Sequence, residues 1–123
     1  VKTDDAIPYW DYDAPVTEET PRDASAAAVT ASALIELSTM VPDGQKYLDY
    51  AEKILKSLSS DAYLAKVGDN QGFILLHSVG SLPNGSEIDT PLNYADYYYL
   101  EALKRFMELK KLRIENGELR VIQ

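Results

Sequence analysis

The chain has 123 residues, 46% hydrophobic and 26% charged, enough length and apolar content for one domain with a buried core. Its formal charge of −8 argues against a nucleic-acid backbone or an anionic membrane surface as partner, since both demand clustered positive charge; an anionic sugar stays open, because one local Arg or Lys outweighs the global charge at short range. With no Cys and a single His there is no disulfide framework, thiolate chemistry or metal-ligand cluster, and no apolar run approaches the ~20 residues that span a bilayer.

Residues 1–22 read as an extended loop. The opening Val1-Lys2-Thr3-Asp4-Asp5 is not a signal peptide, and the compartment stays open between periplasm and cytoplasm for a bacterial protein. Pro8 and Pro15 bracket Tyr9-Trp10-Asp11-Tyr12-Asp13-Ala14, and each proline disfavours helix at the residue before it. This stretch holds the only Trp, among two Tyr and two Asp. A structureless lead of such length is uncommon unless it is functional or packs on something larger.

Arg22 and Asp23 meet an Ala-rich segment, Ala24-Ser25-Ala26-Ala27-Ala28, and Asp23 can cap it by accepting from free N–H groups of the first turn. A helix is expected from Asp23 to about Met40, small or apolar on nearly all sides and therefore buried on nearly all sides. Val41-Pro42-Asp43-Gly44 is the turn, with Asp43 as cap of a second helix to about Ser59. There Tyr47, Ala51, Ile54, Leu55 and Leu58 recur at helical spacing, mostly opposite Lys46, Asp49, Glu52, Lys53 and Lys56.

A short helical turn is expected over Asp61 to Lys66, then a loop to Gly72. Phe73-Ile74-Leu75-Leu76 is an apolar run that periodicity leaves open between strand and buried extended chain. A Gly- and Ser-rich loop follows from His77 to Asp89. Thr90-Pro91 starts a third helix to about Leu112, with Ala95, Tyr98, Ala102, Leu103, Phe106 and Leu109 on one face, widened by Tyr97 and Tyr99. In the tail, 113–123, Asn116-Gly117 between alternating segments signals a two-residue hairpin. The fold class is all-α, and its alternation of buried and amphipathic helices is the pattern of inner and outer helices in an α/α barrel.

In such a barrel the inner helices start at one end, where free N–H groups and the positive end of the dipole attract carboxylates. The loops entering the first and third helices carry Trp10, Asp11, Asp13, Arg22, His77 and Ser78, which are expected to face a common cleft. Each has two uses. Trp10 is a sugar platform or a packing aromatic; Asp11 and Asp13 cap turns or pair with Arg22. Arg22 is an ion-pair partner or, through its planar fork, a ligand for a carboxylate. His77 is a hydrogen-bonded loop residue or a site residue. The run Tyr97-Tyr98-Tyr99 is packing, since three successive residues cannot share one helix face.

Ile7-Pro8-Tyr9-Trp10-Asp11-Tyr12-Asp13-Ala14-Pro15, Arg22-Asp23-Ala24-Ser25-Ala26-Ala27-Ala28, His77-Ser78-Val79-Gly80 and Tyr94-Ala95-Asp96-Tyr97-Tyr98-Tyr99-Leu100-Glu101-Ala102-Leu103 together resemble the C-terminal half of unsaturated glucuronyl hydrolases, glycoside hydrolase family 88. Order and spacing agree to about Leu109; the resemblance is not carried into the tail after Lys110. The resemblance implies the C-terminal portion of an (α/α)6 barrel, and hydration of the 4,5-double bond of an unsaturated uronic acid at the non-reducing end of lyase-cut oligosaccharides. It implies no metal or organic cofactor, and catalytic aspartates outside this chain. Trp10, Arg22, Ser25, His77 and Ser78 become its expected substrate-binding residues. The chain alone is then expected to be inactive and to pair with a second copy through exposed apolar flanks. The contrasting reading is a non-catalytic helical binding or scaffold module.

Overall fold

Asp23 starts the first helix as its chemistry dictates. With extended backbone it accepts from the Ser25 N–H at 3.0 Å, and α1 runs Ala24–Ser38. The computed structural model describes residues 3–11, 13, 16–17, 20–68, 70–78 and 93–115, with the backbone alone at 71 and 115. The helix stops short of Met40 because its last turn tightens. The Thr39 N–H and hydroxyl both bond the Glu36 carbonyl, and the Met40 N–H bonds that of Leu37.

The second helix, α2, runs Gln45–Leu58. Asp43 is not its cap, in contrast to expectation: Gly44 occupies that position with no side-chain bond, and Asp43 instead forms a 2.8 Å ion pair with Lys46. The reason is steric. A Cβ at residue 44 would lie 1.9 Å from the Ser38 carbonyl oxygen, so the chain turns from α1 into α2 where only glycine fits. Along α2, Leu48 takes the buried place expected of the half-buried Tyr47 and joins Ala51, Ile54, Leu55 and Leu58.

The third helix, α3, runs Asn93–Glu115. Residues 112–114, the expected first arm of a hairpin, are therefore its last turn. Thr90, Pro91, the loop 79–89 and Asn116-Gly117 lie outside the described residues. Tyr99, not Tyr97, faces the core, with its hydroxyl 2.7 Å from Ser59 Oγ; Tyr97 is 61% exposed.

Helix α1 lies against both neighbours, whereas α2 and α3 touch only lightly. Its alanines, Ala24, Ala27, Ala28 and Ala31, let the other helices approach closely. Between α1 and α3, Ser32 Oγ donates to Glu101 Oε1 at 2.9 Å, and Arg105 joins Ser32, Glu101 and Glu36. Burial of α1 is not complete: Val29, Ala33, Glu36 and Met40 form an exposed stripe at helical spacing. Helix α3 leaves Tyr94, Leu100, Met107, Leu112 and Ile114 exposed as well.

The expected helical turn over 61–66 is a turn only as far as Tyr63. Leu64 then pairs antiparallel with Leu75 as an isolated bridge, so 73–76 forms no strand; only Leu75 of the run is buried, and Phe73, Ile74 and Leu76 are half-buried. The Ala65 N–H bonds the Ile74 carbonyl and the Leu76 N–H that of Tyr63, both at 2.8 Å. No strand forms among the described residues.

Candidate functional site

Three loops meet at the start of α1. The Trp10 N–H donates to the Pro21 carbonyl and the Asp23 N–H to that of Pro8, both at 2.9 Å, with Tyr9 and Arg22 bridged antiparallel. The Ala24 N–H, one of the donors that a helix start leaves free, bonds the His77 carbonyl at 2.8 Å. The first turn of α3 reaches the same place: the Asp96 carboxylate accepts from the Ile74 and Leu75 N–H groups at 2.8 and 2.9 Å. The stretches carrying Trp10, Arg22, Ser25, His77 and Ser78 thus gather where α1 and α3 begin.

Their surroundings differ. Trp10 is half-buried and His77 exposed. Ser25 is buried, and its hydroxyl donates to Asp23 at 2.6 Å. Ser78 is fully buried, and its hydroxyl has no hydrogen-bond partner among the described residues. His77 adopts φ +63, a left-handed conformation costly to most residues and less so to His, Asn and Asp. Its ring meets the edge of Tyr63 at 5.8 Å and 88°. Asp11 caps its own turn, accepting from the Asp13 N–H at 2.9 Å.

Arg22 pairs with Asp5, not with Asp11 or Asp13. Its Nη1 donates to Asp5 Oδ1 at 2.7 Å, to the Ile7 carbonyl at 3.0 Å and to the Tyr63 hydroxyl at 3.3 Å, and its guanidinium lies 4.7 Å from the Tyr9 ring centroid. Tyr63 in turn donates to Asp5 Oδ2 at 2.8 Å. Partial burial pushes the Asp5 carboxyl up, but hydrogen bonds from Tyr63, the Ile7 N–H and Arg22 outweigh it and hold the group below its usual range. Burial first, then the bond to Asp5, pushes the Tyr63 hydroxyl well above the usual phenol value.

Asp5 and Tyr63 are the residues that sequence reasoning missed; Asp96 entered it only within the Tyr94–Leu103 motif, without its part as acceptor for Ile74 and Leu75. Asp96 had a signal, an acid in the first turn of a helix. Asp5 and Tyr63 lie 58 positions apart, and nothing local pairs them. Among the described residues no group of His, Asp and Glu could hold a metal ion. The grooves of about 340 and 590 Å³ along α3 do not involve Trp10, Arg22 or His77.

Helices of alternating character, with their entry loops gathered at one end, define a segment of an α/α-barrel protein. No family model matches the chain. An unsaturated glucuronyl hydrolase of Formosa agariphila is 51% identical over 105 residues, 85% of this chain and 26% of that protein. The crystal structure of an unsaturated glucuronyl hydrolase specific for heparin superposes with a TM-score of 0.86 at 69% identity, over 89% of this chain and 29% of that one. A variant of the Streptococcus agalactiae enzyme, complexed with dGlcA-GalNAc6S, gives a TM-score of 0.75 at 33% identity, over 83% of this chain and 28% of that one. The chain belongs to the unsaturated glucuronyl hydrolase family, whose members form an (α/α)6 barrel, and matches a segment of their C-terminal half. It spans only about a quarter of the length of the relatives it matches.

Proposed function

We propose that this chain is part of an enzyme that hydrates the 4,5-double bond of the unsaturated uronic acid at the non-reducing end of oligosaccharides released by polysaccharide lyases. The observation that carries this reading is 69% identity at a TM-score of 0.86 across nearly the whole chain. An aspartate supplied by the rest of the protein acts as general acid and base. It protonates the vinyl ether; the carbon bearing the ring oxygen best stabilises the developing positive charge, so water adds there. The hemiketal rearranges and the next sugar leaves. Water is the only co-reactant, and neither a metal nor an organic cofactor enters.

In this reading the chain holds the sugar. Trp10 offers a ring face and His77 a polar ring, both reachable from solvent. Ser25 and Ser78, both buried, are assigned in this reading to the floor of the site. The heparin specificity of the solved relative favours unsaturated disaccharides of heparin type as substrates. Isolated from the remainder, the chain pairs with a second copy through the open stripes of α1 and α3.

The test is loss of the ultraviolet absorbance of the unsaturated uronate. The purified 123-residue chain should leave it unchanged. A protein extended to the length of its relatives should consume the disaccharide, with Trp10→Ala and His77→Ala raising KM tenfold or more. An extended protein inert toward every unsaturated uronate disaccharide would overturn the proposal.

A further inference from the structure

We propose that Tyr63 and Asp5 are positioning residues of this site: acting through Arg22, they lock the loop that carries Trp10 to the segment that carries His77. The inference rests on the reading that Trp10 and His77 face the sugar.

Three observations carry it. First, the Asp5, Arg22 and Tyr63 side chains close a ring of hydrogen bonds. Arg22 donates to Asp5 and to Tyr63, and Tyr63 donates to the second oxygen of Asp5. The Asp5 backbone carbonyl is tied too, accepting from Ser57 Oγ of α2. The ring joins three segments remote in sequence, and none of its members lies in a helix.

Second, Tyr63 is the only member that reaches both loops. Its hydroxyl holds Asp5, its carbonyl accepts from the Leu76 N–H, and its ring edge abuts the His77 ring. His77 keeps its left-handed backbone while exposed, between the Tyr63 ring on one side and the Ala24 N–H on its carbonyl. A strained conformation persists where its surroundings fix it, and here they fix the residue proposed to meet the sugar.

Third, helix packing does not account for the ring. Arg22 and Asp5 keep 30% and 35% side-chain exposure, whereas Ile7, Ala24, Leu58 and Leu75 are fully buried in the apolar core; of the ring only Tyr63 is buried with them. With its guanidinium on Asp5, Tyr63 and the Tyr9 face, Arg22 is turned toward the loops. It serves there as the strut between Asp5 and the Trp10 stretch.

The test uses Trp10, the only Trp, as reporter in the 123-residue chain. Tyr63→Phe keeps the ring and the core and removes only the hydroxyl. Acrylamide quenching of Trp10 should rise about twofold and the Trp10 amide should exchange faster with solvent, while helical ellipticity stays at the wild-type level. Asp5→Asn should do the same, and it carries the test alone if Tyr63→Phe does not fold. Trp10 quenching and exchange unchanged in a folded variant would overturn the proposal. Unfolding of both variants would overturn it too, by making the ring a determinant of folding. Neither readout involves hydrolysis, so failure here is separable from failure of the proposed reaction.

Discussion

Replacing Gly44 by alanine sets two physical effects of opposite sign against each other. Gly44 has φ −61 and ψ −22, ordinary for any L-residue, so the backbone raises no objection. Alanine would restrict the unfolded chain and, by that effect alone, stabilise by ~0.4–1 kcal/mol. The Cβ, however, would lie 1.9 Å from the Ser38 carbonyl oxygen and 2.7 Å from the carbon behind it. An ordinary carbon–oxygen contact is roughly 3.3 Å, so the α1–α2 turn must open by about 1.4 Å. The obstacle is backbone, not a side chain that can rotate away. Such overpacking costs ~1–3 kcal/mol, which leaves a net loss of about 1–2 kcal/mol and a Tm lower by roughly 4–8 °C per kcal/mol. Gly68 is the control: its φ is +88 and open space surrounds it. Strain should make Gly68→Ala destabilising too, but Gly68→Asn should recover part of the loss, because Asn tolerates that backbone. Gly44→Asn should recover nothing. Thermal and urea unfolding followed at 222 nm would decide. A Gly44→Ala protein as stable as wild type would refute the close approach.

Asp23→Ala removes the cap of α1 and the acceptor of Ser25; urea unfolding should show a loss of about 1 kcal/mol, with faster amide exchange confined to the first turn. Acid should release the Asp5 ring selectively. Because the folded carboxyl lies below its ordinary value of 3.8, its contribution is complete above that pH and disappears as the pH falls through the folded value. Wild-type stability should therefore decline more steeply below about pH 4 than that of Asp5→Asn, and parallel curves would rule out the coupling. Light scattering at micromolar concentration should give a dimer of the isolated chain, dispersed by Leu100→Glu with Met107→Glu; a monomeric wild type would refute pairing through α3.

Much of this protein was legible in local chemistry. The Ala-rich run with Asp23 before it specified α1 and its cap, because capping involves neighbours two residues apart. The repeat of Ala51, Ile54, Leu55 and Leu58 fixed the buried face of α2, since helical spacing alone sets which side chains share a side. The chemistry of Trp10, Arg22 and His77 singled them out before any fold was known. Local reasoning failed wherever a distant backbone intervened. Asp43 had the right chemistry for a cap, but the approach of Ser38 required glycine beside it. The run 73–76 was ambiguous because its partners are the chain at 63–65 and the Asp96 carboxylate. Among the three adjacent tyrosines, tertiary packing buried Tyr99 with its hydroxyl on Ser59, left Tyr98 half-buried against the core and exposed Tyr97. The partner of Arg22 followed the same rule. Asp11 and Asp13 were nearest in sequence, but folding delivered Asp5 and Tyr63, because a buried hydroxyl and a carboxylate brought into contact by tertiary packing outcompete neighbours that can bond water instead. Sequence determined the helices and singled out Trp10, Arg22 and His77; only the packing of three remote segments brought Asp5 and Tyr63 to them and decided which residues face solvent and which hold the others in place.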